Sequence, residues 1–510
     1  MLQFFSQFAV RILCLLLVCA VGARFAGAQV FALPQTAAET PDQAPNQAPS
    51  ENSQSGQTST QSSAPAPADS TSDSNSKDNP DATSGDTVTL FPHSNTSRYW
   101  ISGQANIVLQ WHGAFPAKYS GPNSVRPVGE NATSKVYTLF LGYELTHDTE
   151  VFLDMESAGG RGISDALGLA GITNLDVVRN TTLSPVPYVA RIMLRQIIPL
   201  SDDRVEADRD EFHLVTSLPA RRIDFRIGKF GMADFFDLNT WGSDSHLQFL
   251  NWTADNNGAY DYAANTRGYT DGAIVQYDDH WWSARFAEAL MPKTANGLFL
   301  DADIARARAE NLEIEARGKL IAHRAVRVRL LGYLNHANMG NYREAIDEYL
   351  DHETPTPDII ATRQQGRHKY GFGLNFEQEI TPQVGVFGRL GWSDGRNESF
   401  AYTEDDRTLQ LGGLATGDSW HRRNDRAGVT FIANGIVAAH QQYLALGGTG
   451  FLLGDGGLTH GPEKIFEGFY TAHLWRGFFA SFDLQHINNP GYNQVRGPVT
   501  VPGVRFHTEF

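Results

Sequence analysis

The stretch YWISGQANIVLQWH, Tyr99 to His112, decides how the rest of the chain is read. One parity carries Tyr99, Ile101, Gly103, Ala105, Ile107, Leu109 and Trp111; the other carries Ser102, Gln104, Asn106, Val108, Gln110 and His112. Alternation is the signature of a strand with two unlike faces. Strands in soluble sheets average about five or six residues, whereas a membrane-crossing strand needs roughly 9 to 11. Tyr99 and Trp111 bracket the apolar face where two interfacial aromatic girdles would lie.

The pattern recurs downstream. Tyr137, Leu139, Leu141, Tyr143 and Leu145 alternate with Thr138, Phe140, Gly142, Glu144 and Thr146, and after a short turn at His147 to Thr149 a return strand carries Asp154 and Glu156 on its polar face. Ala190, Ile192 and Leu194 alternate with Arg191, Met193 and Arg195; Ile223, Phe225 and Ile227 alternate with Arg222, Asp224 and Arg226. Tyr370 to Phe376 oppose Gly371 to Glu377, and past a turn near Thr381-Pro382, Val386, Leu390 and Trp392 lie opposite Phe387, Arg389 and Ser393. The chain closes on Val504, Phe506, Thr508 and Phe510 against Arg505, His507 and Glu509.

Ionised groups on one face and aliphatic groups on the other fit a closed barrel in lipid, wet inside and without an unpaired edge. The fold class expected is all-β, a transmembrane antiparallel barrel. Over Arg98 to Phe510, 16 or 18 strands leave on the order of 23 to 26 residues per strand and connection. Three organisational units follow: a signal peptide over 1–28, a disordered Ser/Pro/Gln-rich linker over 29–97, and the barrel over 98–510.

The signal is read from Arg11, the apolar run Ile12 to Gly22 and the small-x-small triplet Ala26-Gly27-Ala28. Both cysteines, Cys14 and Cys19, lie in that run, so the exported chain carries no thiol and no disulfide framework. The linker has almost no aromatic or branched apolar side chains to offset the entropy of ordering. The only apolar run approaching the roughly 20 residues of a membrane helix, Ile12 to Ala23, is short and N-terminal, which excludes a polytopic helical membrane protein in agreement with a mean hydropathy of -0.32. An excess of 57 acidic over 41 basic residues argues against a nucleic-acid partner. Outer-membrane lipid is the expected surrounding.

Inward arginines opposed by carboxylates are the main chemical feature. Arg191, Arg195, Arg222, Arg226 and Arg389, against Asp154, Glu156, Asp224 and Glu377, offer fork-shaped donors and matching acceptors to vicinal hydroxyls. Trp252, with Trp241, Tyr260, Trp281 and Trp392, is a candidate either for stacking on a pyranose ring or for the girdles. The connection from Gly159 to Pro187 is long enough to fold inward or to stay outside. Ala302 to Ala316 and Asn341 to Leu350 are expected to be helical by propensity. No cofactor is expected beyond a calcium ion that Asp301 and Asp303 would hold on a loop. Gly-x-Ser-x-Gly, His-Glu-x-x-His and phosphate-loop motifs are missing from the sequence, which argues against an enzyme.

Several stretches together carry a family resemblance: Phe152-Leu153-Asp154-Met155-Glu156, Gly228-Lys229-Phe230-Gly231, Gln248-Phe249-Leu250-Asn251-Trp252, Asn257-Gly258-Ala259-Tyr260-Asp261-Tyr262, Arg389-Leu390-Gly391-Trp392, and Asn489-Pro490-Gly491-Tyr492-Asn493. In these the chain resembles the carbohydrate-selective porin family of bacterial outer membranes. The resemblance implies a 16-stranded barrel, passive diffusion of mono- and disaccharides past an arginine-bearing eyelet, and a terminal Phe510 read by the outer-membrane assembly machinery. A general or anion-preferring porin is the alternative, and monomer and homotrimer both stay open.

Overall fold

The computed structural model describes residues 88–176 and 183–510; the expected signal peptide and nearly all of the expected linker lie outside the described residues. The strands are β1 (Tyr99–His112), β2 (Glu130–Thr146), β3 (Thr149–Gly160), β4 (Tyr188–Pro199), β5 (Arg204–Glu206) and β6 (Ser217–Pro219). They continue as β7 (Arg222–Phe230), β8 (Thr270–Asp278), β9 (Trp282–Leu290), β10 (Arg308–Lys319), β11 (Ala325–Met339) and β12 (Gln364–Thr381). The last are β13 (Val384–Ser393), β14 (Arg407–Thr416), β15 (Arg426–Gly435), β16 (Glu463–Trp475), β17 (Phe478–Asn488) and β18 (Val499–Glu509).

Sixteen of these form one closed antiparallel barrel, in which β4 pairs with β7 and β1 pairs with both β2 and β18. β5 and β6 make a separate two-stranded hairpin. Closure resolves the choice between 16 and 18 strands, and it removes the edge that would otherwise leave backbone groups unpaired in lipid.

Burial is the reverse of that in a soluble sheet. Tyr99, Ile101, Leu109 and Trp111 are exposed on β1, while Gln104, Asn106, Gln110 and His112 are buried. The same inversion sets Phe372 and Leu390 outside and Asn375 and Arg389 inside. Trp392 stacks on Phe372, with ring centroids 5.2 Å apart on the outer face, and Trp281 is 70% exposed.

Ala302 to Ala316 corrects a helical expectation. Its second half is β10, with Ala309, Asn311, Glu313 and Glu315 turned inward and Leu312 and Ile314 outward. Pairing with β9 and β11 along its length satisfies the backbone, and helix propensity, worth only tenths of a kcal/mol per residue, yields to it. The other expected helix forms over Tyr342–Leu350, with the Asn341 side chain accepting from Arg343 N and Glu344 N.

The barrel has two unlike ends. At one, turns such as 147–148, 382–383 and 476–477 join neighbouring strands, and β1 begins and β18 ends there. At the other end are the long connections, several of which turn back into the lumen.

Candidate functional site

The lumen is occupied by chain. Ile163 to Asp176, the described start of the connection expected to lie inward or outside, is inside: Ala170 N and Gly171 N donate to Glu463 at 3.2 and 2.9 Å. Thr173 O accepts from Gln110 at 2.7 Å and from Gln485 at 2.8 Å, and the Asn174 amide reaches Ser134. A second inserted segment, Gly231 to Tyr269, lies beside it. Trp252 N donates to Ile172 O at 2.9 Å and the Trp252 indole N–H to Asn174 O at 2.8 Å, so the two segments bond to each other as well as to the wall.

Wall charges hold the second segment by its backbone and its acidic side chains. Arg191 donates through Nε and Nη2 to both Asp234 oxygens at 2.7 Å and through Nη1 to Asp154 at 3.2 Å. Arg389 donates to Ala254 O at 2.9 Å and Asp255 O at 2.8 Å, and pairs with Asp237 at 2.9 Å. Glu377 accepts from Thr240 N at 2.7 Å, and Arg505 donates to Ser245 O and Gln248 O at 2.7 and 2.8 Å. A carbonyl-rich loop in a low-dielectric lumen is costly unless its polar groups are met, and these side chains meet them.

Near the short-turn end a set of wall charges, Glu377 among them, forms one alternating arc. It starts at Glu150, which accepts from Arg195 at 2.8 Å, and runs from Arg195 to Asp224 at 2.9 Å. Arg226 meets Asp224 at 2.9 Å, and Arg222 bridges from Asp224 at 3.9 Å to Asp278 at 2.9 Å. Arg317 joins Asp278 at 3.1 Å to Glu315 at 2.5 Å, and Arg329 joins Glu315 at 2.5 Å to Glu377 at 3.4 Å. Arg327 closes on Glu377 at 3.5 Å. The arc crosses β3, β4, β7, β8, β10, β11 and β12. Side chains of Arg222, Arg327 and Arg317 keep 13%, 20% and 29% of their surface open, and so present donors beside carboxylates.

Of the residues singled out in the sequence, Arg195, Arg222, Arg226 and Glu377 thus fall in one network. Arg191 and Asp154 sit together under the second segment, Arg389 lies beneath that segment on another part of the wall, and Glu156 accepts from Tyr269 OH at 2.9 Å. Trp252 is buried within the inserted segments and stacks on Tyr402 with centroids 5.3 Å apart and planes 4° from parallel. Asp301 accepts from Gln365 at 3.1 Å and Asp303 from Arg306 at 2.9 Å, so each carboxylate has a protein partner.

Sequence reasoning passed over Glu150, Asp278, Glu315, Arg317, Arg327 and Arg329. The signal was available in Arg327 and Arg329, which alternate with Val326, Val328 and Leu330. It was obscured on β10, where reading a helix broke the two-residue period across Glu313 and Glu315.

The model of the family described as "Carbohydrate-selective porin, OprB family" matches residues 139–510. Among solved structures, the high-pH structure of Pseudomonas putida OprB is similar at a TM-score of 0.62 and 15% identity, over 81% of this chain and 94% of that one. The outer membrane channel DcaP of Acinetobacter baumannii is similar at a TM-score of 0.42 and 10% identity, over 81% of this chain and 97% of that one. No curated protein sequence matches the chain.

Proposed function

Because the chain belongs to the OprB family of carbohydrate-selective porins, we propose that it carries mono- and disaccharides passively across the bacterial outer membrane, past a constriction whose donors and acceptors come from the paired-charge arc. The observation that carries this reading is the strict alternation of guanidinium and carboxylate from Glu150 to Arg327. A sugar presents adjacent hydroxyls that both donate and accept. Beside the partly exposed Arg222, Arg317 and Arg327 it exchanges water hydrogen bonds for protein ones, with little net change in free energy along the path. That balance lets a solute enter and leave quickly.

Pairing also separates this reading from an anion-preferring pore. Every arginine of the arc has a carboxylate within 3.9 Å, so the field on an ion is short-ranged and of mixed sign. Arg191 and Arg389, buried at 0% side-chain exposure, act by holding the second inserted segment that narrows the lumen, Arg191 with Asp154 and Asp234 and Arg389 with Asp237, while Trp252 packs on Tyr402. Glu156 steadies the end of the second segment through Tyr269. No step of this passage needs a bound cofactor.

Liposome swelling tests the reading. Vesicles bearing the protein should swell faster in glucose than in an acyclic solute of equal size, and the Arg317→Gln, Arg327→Gln pair should erase the difference. Equal swelling in all solutes of one size would leave a general porin.

A further inference from the structure

Connections at the short-turn end are generally brief, but residues 200–221, between β4 and β7, number 22. The segment is strongly acidic, with Asp202, Asp203, Glu206, Asp208, Asp210 and Glu211, yet it carries an apolar group at Phe212, Leu214 and Val215. On a surface turn those side chains would face water. Here they are buried, Phe212 at 4% exposure and Leu214 at 2%, because the hairpin formed by β5 and β6 directs them into the barrel.

The wall has a receptacle for them. Glu150, itself fully buried, accepts from Leu214 N and Val215 N through one oxygen at 2.8 Å each, while its other oxygen takes Arg195. Gly142 faces inward with no side chain where Leu214 rests; a Cβ there would stand 3.2 Å from a leucine methyl. Val215 packs on Ile197 and Leu218. Asp210 tightens the tip by accepting from Phe212 N at 2.7 Å, and the Phe212 ring meets Phe235 of the second inserted segment at 5.6 Å, with the Arg191 guanidinium 5.0 Å from its centre. At the base, Arg209 donates to Ser94 O at 2.6 Å and Ser97 O at 2.8 Å, which fastens the hairpin to the segment that leads into β1.

We propose that Asp210 to Val215 is an inward finger forming a second constriction at the short-turn end, the periplasmic mouth by the general rule for such barrels. Its tip, Phe212, meets the segment inserted from the opposite end, and its seat is the first carboxylate of the charge arc. It sets the size of solute that leaves the arc, and so rests on the lumen being the solute path. Pore width and the groups that line it are what limit conduction in a channel.

Planar-bilayer recording of the full chain tests this with two variants. One replaces residues 203–218 by two glycines and the other is Phe212→Ala, each checked for folding by heat-modifiable mobility. Excision should raise single-channel conductance by about 1.5-fold or more and admit larger uncharged polymers, with Phe212→Ala shifting both in the same direction by less. If the excised chain does not fold, Phe212→Ala decides alone. Parental conductance and polymer cut-off in whichever variants fold would overturn the proposal. Glucose block recorded in the same bilayers keeps the two readings apart. Unchanged conductance with sugar block present sinks the finger alone. Raised conductance in a pore that never shows sugar block supports the finger and sinks the sugar path.

Discussion

Arg389 is the residue whose loss should do most to the inserted segment Gly231 to Tyr269. Its guanidinium has no exposed surface, pairs with Asp237 at 2.9 Å, and donates to Ala254 O, Asp255 O and Gln410 at 2.9, 2.8 and 2.8 Å. Arg389→Ala leaves the Asp237 carboxylate buried without its cation and takes the charged donor from two loop carbonyls, which keep only the neutral Gln410 amide and Ser243 hydroxyl. Removing one partner of a buried pair costs about 3 to 5 kcal/mol, which is roughly two to four powers of ten in the ratio of docked to released loop. The barrel ladder does not involve this side chain, so the loss falls on the loop and not on the fold. Asp237 keeps its bonds to Asn257 N at 2.7 Å and Asn375 at 2.9 Å. Asp237→Asn gives up one of these accepted bonds, because an NH2 cannot accept, but removes the unpaired buried charge, and so should restore part of the docking when added to Arg389→Ala, with a coupling of about 1 to 3 kcal/mol. Trypsin reports release directly, since Arg267 is the one basic residue of Gly231 to Tyr269. Arg389→Ala in detergent micelles should be cut there at least tenfold faster than the parent, and the double variant at an intermediate rate. Parental cleavage in Arg389→Ala, with parental channel noise, would refute the assignment of this arginine to loop anchoring.

Three further outcomes follow from the geometry. Gly385 lies under the Trp241 indole with no room for a Cβ, so Gly385→Val should displace that ring and raise Trp241 quenching by iodide, with the barrel's circular dichroism unchanged. Burial lowers His246 from 6.5 to about 4 against the pull of Asp176 at 3.6 Å, with His507, Asp244 and Arg505 also facing it. Below pH 6.5 an unfolded chain takes the proton that the docked loop refuses. The His246 contribution should therefore fade between pH 6.5 and about 4 and level off below, seen as rising channel noise that His246→Gln flattens. Phe510 exchanges backbone hydrogen bonds of 2.9 Å with Gly103, and its ring fills the space over that glycine. Deleting Phe510 should cut the amount of folded barrel in outer membranes several-fold, read by heat-modifiable mobility, while refolding in detergent proceeds.

The barrel was legible because its rule is local. In Tyr99 to His112 most residues declare their face, with Trp100 and Val108 the apolar exceptions that turn inward, and the inversion of polarity that names the membrane needs no partner strand to be seen. The strand number was not local, since β5 and β6 have strand geometry but close on each other beside the barrel. The helix expected across Ala302 to Ala316 failed for a related reason: Ala, Arg and Glu favour a helix in isolation, and only pairing with β9 and β11 decides otherwise. The site was legible in kind, as inward arginines and carboxylates, but not in assignment. Arg191 and Arg195 are four residues apart on one strand, yet the first holds Asp234 of an inserted loop and the second enters the arc through Asp224 and Glu150. That division depends on contacts between residues dozens of positions apart. The insertion of Gly231 to Tyr269 was hidden for the same reason, because its aromatic residues read equally well as a girdle.

The most direct test of the central claim is single-channel current through the full chain in a planar bilayer, titrated with glucose, maltose and an uncharged polymer of similar size. Saturable block by the sugars and none by the polymer is the predicted result, weakened by Arg317→Gln and Arg327→Gln. Steady conductance indifferent to either sugar would contradict it and leave a barrel without carbohydrate selectivity.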